Sequence, residues 1–274
     1  MDIEVRELCF SYPGGIEALR GVSLKIRQGE QVAIVGQNGA GKSTLVKHFN
    51  GLLKPTTGAV LVGEWDTRQH TAAQLAARVG YVFQNPDQQL FSSTVFDEVA
   101  FGPRNLRYKK ERINALIEDA FQLTMLKGQE KINPYELSPT WRKLVALASI
   151  LSMDTPIVIL DEPTTGQDAV SIERIAHIVK TLRERDKTVI AITHDIDFGA
   201  ENFDRLIALG KGRVLLDGTV QEVISQDEVL ATTYVDPPQI ARLSKGLGFS
   251  HLTHREDDFI DLYRQKVFGA KKDS

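Results

Sequence analysis

Residues 36–43, GQNGAGKS, constrain this chain more tightly than any other stretch. They fit G-x-x-x-x-G-K-[ST] without a gap, the apolar run VAIV (32–35) leads into them, and TLVKHFNGLL (44–53) follows. A strand, a glycine-rich turn and a helix in that order make a phosphate cradle, which calls for a layered α/β framework around it. Gly36, Gly39 and Gly41 let the backbone turn its N–H groups inward toward phosphate oxygens, with Gln37, Asn38 and Ala40 between them. The start of the following helix, at Ser43 and Thr44, adds the positive end of its dipole. Lys42 is spaced to reach β and γ phosphates, and the Ser43 hydroxyl to ligate Mg²⁺.

Two more apolar runs, IVIL (157–160) and VIAI (189–192), read like VAIV. Unbroken runs of this kind suit strands of a parallel sheet covered on both faces by helices. Segments 42–53, 109–124 and 169–185 have helical spacing, whereas 22–27 alternates with Val22, Leu24 and Ile26 on one face. GKG at 210–212 joins strand-like 206–209 and 213–216 as a hairpin. Between 87 and 153 the patterns are helical with no buried-strand run, which reads as a helical subdomain inserted into the α/β core. Past Gly218 the chain turns helical again, broken at Pro237 and Pro238, and 255–268 sets Phe259, Ile260, Leu262, Tyr263 and Val267 toward one side of a helix. The expected organisation is a core from 1–86 and 154–218, a helical subdomain at 87–153, and an extension at 219–274.

The chemistry concentrates at the strand ends. Asp161 closes IVIL, where its carboxylate can hold Mg²⁺ through water. Glu162 follows, and a second carboxylate there can polarise an attacking water. His194 closes the next run, in VIAITHD, on a strand expected beside that of Asp161, and its imidazole can donate to a transferring phosphoryl group. The 33 basic and 36 acidic residues balance to a formal −3, so there is no whole-chain attraction to nucleic acid or anionic lipid. No run approaches the ~20 apolar residues of a membrane span, and MDIEVREL lacks the apolar stretch of a secretory signal. A membrane role would come through a partner. The single cysteine, Cys9, excludes an intrachain disulfide and reads as a small core residue.

Together these residues resemble the nucleotide-binding subunit of an ATP-binding cassette (ABC) transporter, over nearly all of residues 3–218. The resemblance implies a P-loop, RecA-like core with an antiparallel β subdomain, binding ATP and Mg²⁺. It implies that Tyr12 stacks on adenine, and that Gln84, after VGYVF, lies between the metal and a transmembrane partner. Asp161 and Glu162 become the acid pair, with Glu162 as general base, and His194 the switch histidine. TGQD (165–168) matches the loop that follows, with Gln167 where leucine is common. The run FQNPDQQLFSSTVFDEVAFGPRN (83–105) resembles the energy-coupling factor (ECF) importers and their cobalt and nickel relatives. PPQIARLSKGLG (237–248) is similar to a segment after the core of ECF ATPases, where the extension helps two ATPases dimerise. The implied partners are a second ATPase, a transmembrane coupling subunit and, through it, a substrate-binding membrane subunit. The implied place is the cytoplasmic face of the cell membrane, the implied cargo a vitamin or similar micronutrient, and Asp97 and Glu98 are expected on the docking face.

One motif departs. The family carries LSGGQ at the start of a helix, and residues 137–141 here read LSPTW. Pro139 has no N–H, Thr140 adds a Cβ where backbone would approach the γ-phosphate, and Trp141 brings an indole in place of an amide. Because the signature serves the opposite subunit's nucleotide, a homodimer would carry the change at both sites and a heterodimer with a regular partner at one. A cobalt or nickel importer ATPase and a regulatory ATP-binding module are alternatives. A ribosome- or DNA-acting ATPase is weakened by the single cassette and the short span from Lys42 to Ser138. His251 and His254 form a weak metal pair, while Lys109, Lys110 and Arg112 read as a solvated helix start and Lys271 and Lys272 as a chain end.

Overall fold

The computed structural model describes residues 1–249 and 253–268. His251, Lys271 and Lys272 lie outside the described residues. The strands are β1 (Ile3–Ser11), β2 (Glu17–Ile26), β3 (Gln31–Val35), β4 (Thr57–Val62), β5 (Trp65–Asp66), β6 (Val79–Val82), β7 (Ile157–Asp161), β8 (Thr188–Thr193), β9 (Arg205–Gly210) and β10 (Arg213–Thr219). The helices are α1 (Lys42–Phe49), α2 (Ala72–Leu75), α3 (Val95–Asn105), α4 (Lys110–Thr124), α5 (Pro139–Leu151), α6 (Ala169–Glu184), α7 (Ile196–Asn202), α8 (Val220–Ile224), α9 (Asp227–Thr232), α10 (Gln239–Gly246) and α11 (Glu256–Phe268).

Two sheets form. The first runs β2-β1-β4-β5 and is antiparallel throughout. The second runs β10-β9-β3-β8-β7-β6; it is parallel from β9 to β6, with β10 antiparallel at its edge. Alternation along β3 explains why VAIV is apolar at every position. Val32 and Ile34 enter the core shared with the antiparallel sheet, while Ala33 and Val35 enter the core shared with α6 and α7. Ile157 and Ile159 against Val158 and Leu160 do the same on β7. A fully buried side chain of this size contributes about 1.5–3 kcal/mol.

Every element between β6 and β7 is helical. α3, α4 and α5 enclose a third core around Val99, Phe121 and Val145, while Leu147 of α5 reaches the core of the parallel sheet. α5 is therefore the beam shared by both layers. Arg185 at the end of α6 pairs with Asp119 of α4 through two hydrogen bonds, at 2.5 and 2.8 Å. α8 and α9 add Val220, Val223, Ile224 and Leu230 to the core that holds Ala33 and Val35.

Three sequence expectations need correction, at α1, Glu98 and Cys9. Helical spacing extends to 53, but α1 stops at Phe49, because Gly51 takes a left-handed φ of 73° that ends the turn. The sequence puts Glu98 on a docking face as a free charge; it does line the groove between α2, α3 and α5, but it is 2% exposed, and its carboxylate accepts from the backbone N–H groups of Phe91 and Ser92. Cys9 is only half-buried, its Sγ accepting from Gly21 N at 3.1 Å across a register shift in β1. The apolar side of α11 is not covered: Phe259 and Leu262 are half-buried, while Ile260 and Tyr263 are exposed. The Val267 side chain lies outside those described.

Candidate functional site

β3 delivers the chain into the loop 36–41, and α1 carries it away. Gly36 passes so close to β9 that a Cβ would stand 2.2 Å from the Leu209 carbonyl oxygen. Gly41 holds φ at 103°, with Ala18 O 2.8 Å from any added Cβ. Neither position admits another residue. Three backbone bonds prop the loop: Ala40 N donates to Gln37 O (3.1 Å), Gly212 N to Ala40 O (3.0 Å) and Gln37 N to Thr233 O (3.2 Å).

The loop walls a cleft of about 400 Å³. Tyr12, Ile16, Glu17 and Ala18 line it from the β1–β2 segment; Asn38, Gly39, Ala40, Gly41, Lys42, Ser43, Thr44, Gln84 and Glu162 line the rest. Gly36, Gln37, Asp161 and His194 do not line it directly. An aromatic ring beside Ile16 and Ala18, joined to a loop of backbone donors, suits a flat base attached to phosphates. Tyr12 is anchored by its hydroxyl to Thr44 Oγ1 at 3.0 Å, and Phe10 meets its ring edge-on.

Lys42, only 6% exposed, donates from Nζ to Gly36 O (2.6 Å) and Gln37 O (3.2 Å), and lies 3.8 Å from Glu162 Oε1. Burial pushes its pKa down, opposed by the Glu162 and Asp161 charges. Ser43 Oγ donates to Asp161 Oδ1 at 3.2 Å, bringing a hydroxyl and a carboxylate oxygen together at the mouth of the loop. These are hard oxygen donors. Mg²⁺ needs few protein ligands when phosphates supply others, so the pair fits that ion. Among the described residues no cluster of three or more His, Cys, Asp or Glu is arranged for a metal.

Glu162 sits just past β7 with φ at 49°, a left-handed value, and its N–H donates to Ile192 O at 2.8 Å. His194 Nδ1 is 2.7 Å from Glu162 Oε2. An ionised carboxylate only accepts, so Nδ1 carries the proton of that bond. The imidazole is 54% exposed and spends this contact on the acid, not on the loop. Gln84 follows β6, and Gln89 ties its loop to α5, accepting from Phe83 N (3.0 Å) and donating to Ala146 O (2.7 Å).

The ABC transporter family profile matches residues 19–165. An ECF transporter ATP-binding protein from Methanoculleus marisnigri is 40% identical over 274 residues, covering 97% of this chain and 99% of its own length. The chain belongs to the ABC transporter ATP-binding family. A Caldanaerobacter subterraneus ABC transporter ATP-binding protein is also 40% identical, but this chain spans only 45% of its length. Among solved structures, cbiO1 from Clostridium perfringens, described as part of the ABC transporter complex cbiONQ, superposes with a TM-score of 0.74 at 33% identity. The match covers 89% of this chain and 98% of cbiO1.

This ABC ATPase holds two site-facing residues that its sequence motifs do not flag. Tyr81 donates its hydroxyl to Asp161 Oδ2 at 2.5 Å, and burial beside that carboxylate drives its pKa far up. A hydroxyl inside VGYV, on a strand buried throughout, had to find a partner, and that was the available signal. Lys143 is 5% exposed on α5 and donates from Nζ to Glu162 O and, at 3.4 Å, to Thr165 O. Burial pushes its pKa down to about 8, with Glu162 and Asp161 opposing. A lysine on the face that carries Leu144 and Leu147 was its signal.

The altered signature folds as an ordinary helix start. Ser138 is the N-cap of α5, its Oγ accepting from Trp141 N at 3.5 Å, and Pro139 takes the first helical position, where no intrahelical N–H bond is lost. Trp141 packs on the helical core, with the Arg174 guanidinium 5.6 Å from its ring centre.

Proposed function

We propose that the chain is the ATP-hydrolysing subunit of an ECF-type importer. Residues 1–86 and 154–218 act as the nucleotide-binding core, 87–153 as the coupling subdomain and 219–274 as the extension, whose first part, through Val235, packs onto the core and touches the phosphate loop. Tyr12 stacks on adenine, Gly36–Thr44 hold the phosphates, and Lys42 turns from the loop carbonyls to the phosphoryl oxygens. Ser43, Asp161 and Gln84 hold Mg²⁺, which when bound neutralises charge on the β and γ phosphates. Glu162 takes the proton of the attacking water, while His194 orients Glu162 and shares the γ-phosphate with Gln84. The observation that carries this reading is the convergence of Lys42, Ser43, Asp161, Glu162 and His194 through contacts of 2.7–3.8 Å.

For coupling, an apolar groove of about 530 Å³ runs between α2, α3 and α5. Phe91 and Phe101, 60% and 48% exposed, meet edge to face in its wall at 4.7 Å. A short helix of a transmembrane partner fits such a groove, and that contact would hold the protein on the cytoplasmic face of the membrane. Among the described residues no helix is long and apolar enough to cross a membrane. The second ATPase subunit meets the exposed start of α5. The resemblance of residues 83–105 to cobalt and nickel relatives also favours a second reading, an ion-importer ATPase with the same chemistry.

Glu162→Gln tests the chemistry. ATP binding is expected to persist while turnover falls ~10²–10⁴-fold, the worth of a positioned general base. Equal turnover would remove Glu162 from that role.

A further inference from the structure

Glu162 leaves β7 in a left-handed conformation that a non-glycine residue adopts only when its surroundings hold it. Its carboxylate is held on one side by His194 and faced by Lys42 on the other. Its carbonyl has turned out of the sheet ladder, and within the turn it accepts only a long bond from Thr165 N, at 3.4 Å. A second, charged donor comes from another layer of the protein: Lys143, from the second turn of α5, reaches Glu162 O with its ammonium and extends to Thr165 O. Lys143 lines a small void together with Leu147, Leu160, Pro163 and Ile175, and almost nothing of it meets solvent. A buried ammonium spent wholly on two main-chain carbonyls has no use in solubility and is a costly way to fill a core.

We infer that Lys143 is a positioning residue, which holds the Glu162–Thr165 turn in the shape that aims the Glu162 carboxylate and makes that aim depend on the place of α5. The inference rests on reading Glu162 as the general base. α5 begins at Ser138, the end that faces outward, and Lys143 lies five residues further along the same rigid rod. Displacing α5 withdraws the ammonium from the carbonyl. The left-handed φ of Glu162 then loses its charged support and rests on the weaker bonds to Ile192 and Thr165, and relaxation toward extended backbone swings its carboxylate away from His194 and Lys42. Contact at the exposed start of α5 thereby sets the readiness of this subunit's own acid, through one side chain.

The test uses the full chain with the subunits it assembles with, comparing wild type, Lys143→Met, Glu162→Gln and the double variant. Methionine keeps most of the length of the stem and removes every donor. Lys143→Met is expected to lower kcat about 10²-fold, the loss typical of ~1 Å misplacement of a reacting group. ATP affinity should stay at the wild-type value, and the melting temperature should not fall below it. In the Glu162→Gln background the same change should cost nothing more, since the residue acts through Glu162. Unchanged kcat in Lys143→Met overturns the inference. So does a loss of affinity and melting temperature in step with kcat, which marks plain structural support, or a full further loss in the double variant. If Glu162→Gln itself hydrolyses at the wild-type rate, the base reading fails and takes the inference with it; a dead Glu162→Gln beside a normal Lys143→Met sinks the inference alone. Should Lys143→Met not fold, Lys143→Gln, too short to span to the carbonyl, replaces it in the same four-way comparison, and each outcome supports or overturns the inference as above.

Discussion

Replacing Tyr81 by phenylalanine removes one atom, and the structure fixes what that atom does. The hydroxyl donates to Asp161 Oδ2 at 2.5 Å, in a place where tyrosine and aspartate are 5% and 4% exposed. Asp161 Oδ1 takes the Ser43 hydroxyl at 3.2 Å, so the two bonds together fix the carboxylate plane. A hydrogen bond to a charged group contributes about 1.5–3 kcal/mol, and the phenylalanine variant recovers part of it by no longer burying a hydroxyl. The net loss should be about 1–2 kcal/mol, or roughly 2–8 °C in melting temperature for a chain of this size. Partners of a metal-holding carboxylate are typically worth 10–100-fold in metal affinity. Titrating Mg²⁺ into the ATPase assay should therefore move the half-saturating concentration up about tenfold, with ATP affinity in the absence of metal unchanged. An unshifted Mg²⁺ midpoint would show that Asp161 does not depend on Tyr81 for its aim, and the reasoning would fall.

Glu98→Ala strips the acceptor from two backbone N–H groups and should cost about 2–3 kcal/mol in chemical denaturation; an unchanged midpoint would mean that the Phe91 loop holds itself. Asp97→Lys loses only the Arg104 pair and a helix-start contact, so its effect should appear in co-purification with the membrane partner before it appears in stability. Lys143 gives stability a pH signature: its folded pKa of about 8 lies below the ordinary value of 10.5, so the buried charge costs most below pH 8 and the cost fades as pH rises toward 10.5. Lys143→Met should gain stability over wild type at pH 7 and lose that advantage by about pH 10, and a constant difference across the range would contradict the assignment. The LSPTW start of α5 should leave the isolated chain a slow ATPase, since one missing transition-state donor costs about 3–4 kcal/mol, with turnover recovered on mixing with a cassette that carries LSGGQ. Equal rates with and without that partner would refute it.

What the sequence made legible was whatever repeats along the chain or ends a repeat. VAIV, IVIL and VIAI announced strands buried on two faces, because each position meets one core or the other. The ends of those runs marked Asp161, Glu162 and His194, and the pairing of β7 with β8 brings the last two within 2.7 Å. Tyr81, Lys143 and Glu98 stayed hidden because each is a polar residue whose partner cannot be read from its own neighbourhood in the chain. Periodicity tells which way a side chain points, not that a carbonyl or a pair of N–H groups waits there. Gly51 shows the converse limit: apolar spacing runs on to Leu53, while one backbone angle ends α1.

The bond from Gln37 N to Thr233 O has a practical consequence for where this chain can be cut. Gly218 looks like the natural place to stop, since the last sheet strand is nearly complete there. Ending the protein at that point would uncover the core that Val220, Val223, Ile224 and Leu230 cover and leave an unpaired N–H in the phosphate loop. Tails exchanged between related cassettes should therefore be spliced past Val235, beyond the last turn that touches the loop. A graft made earlier replaces part of the nucleotide site under the guise of swapping an appendage.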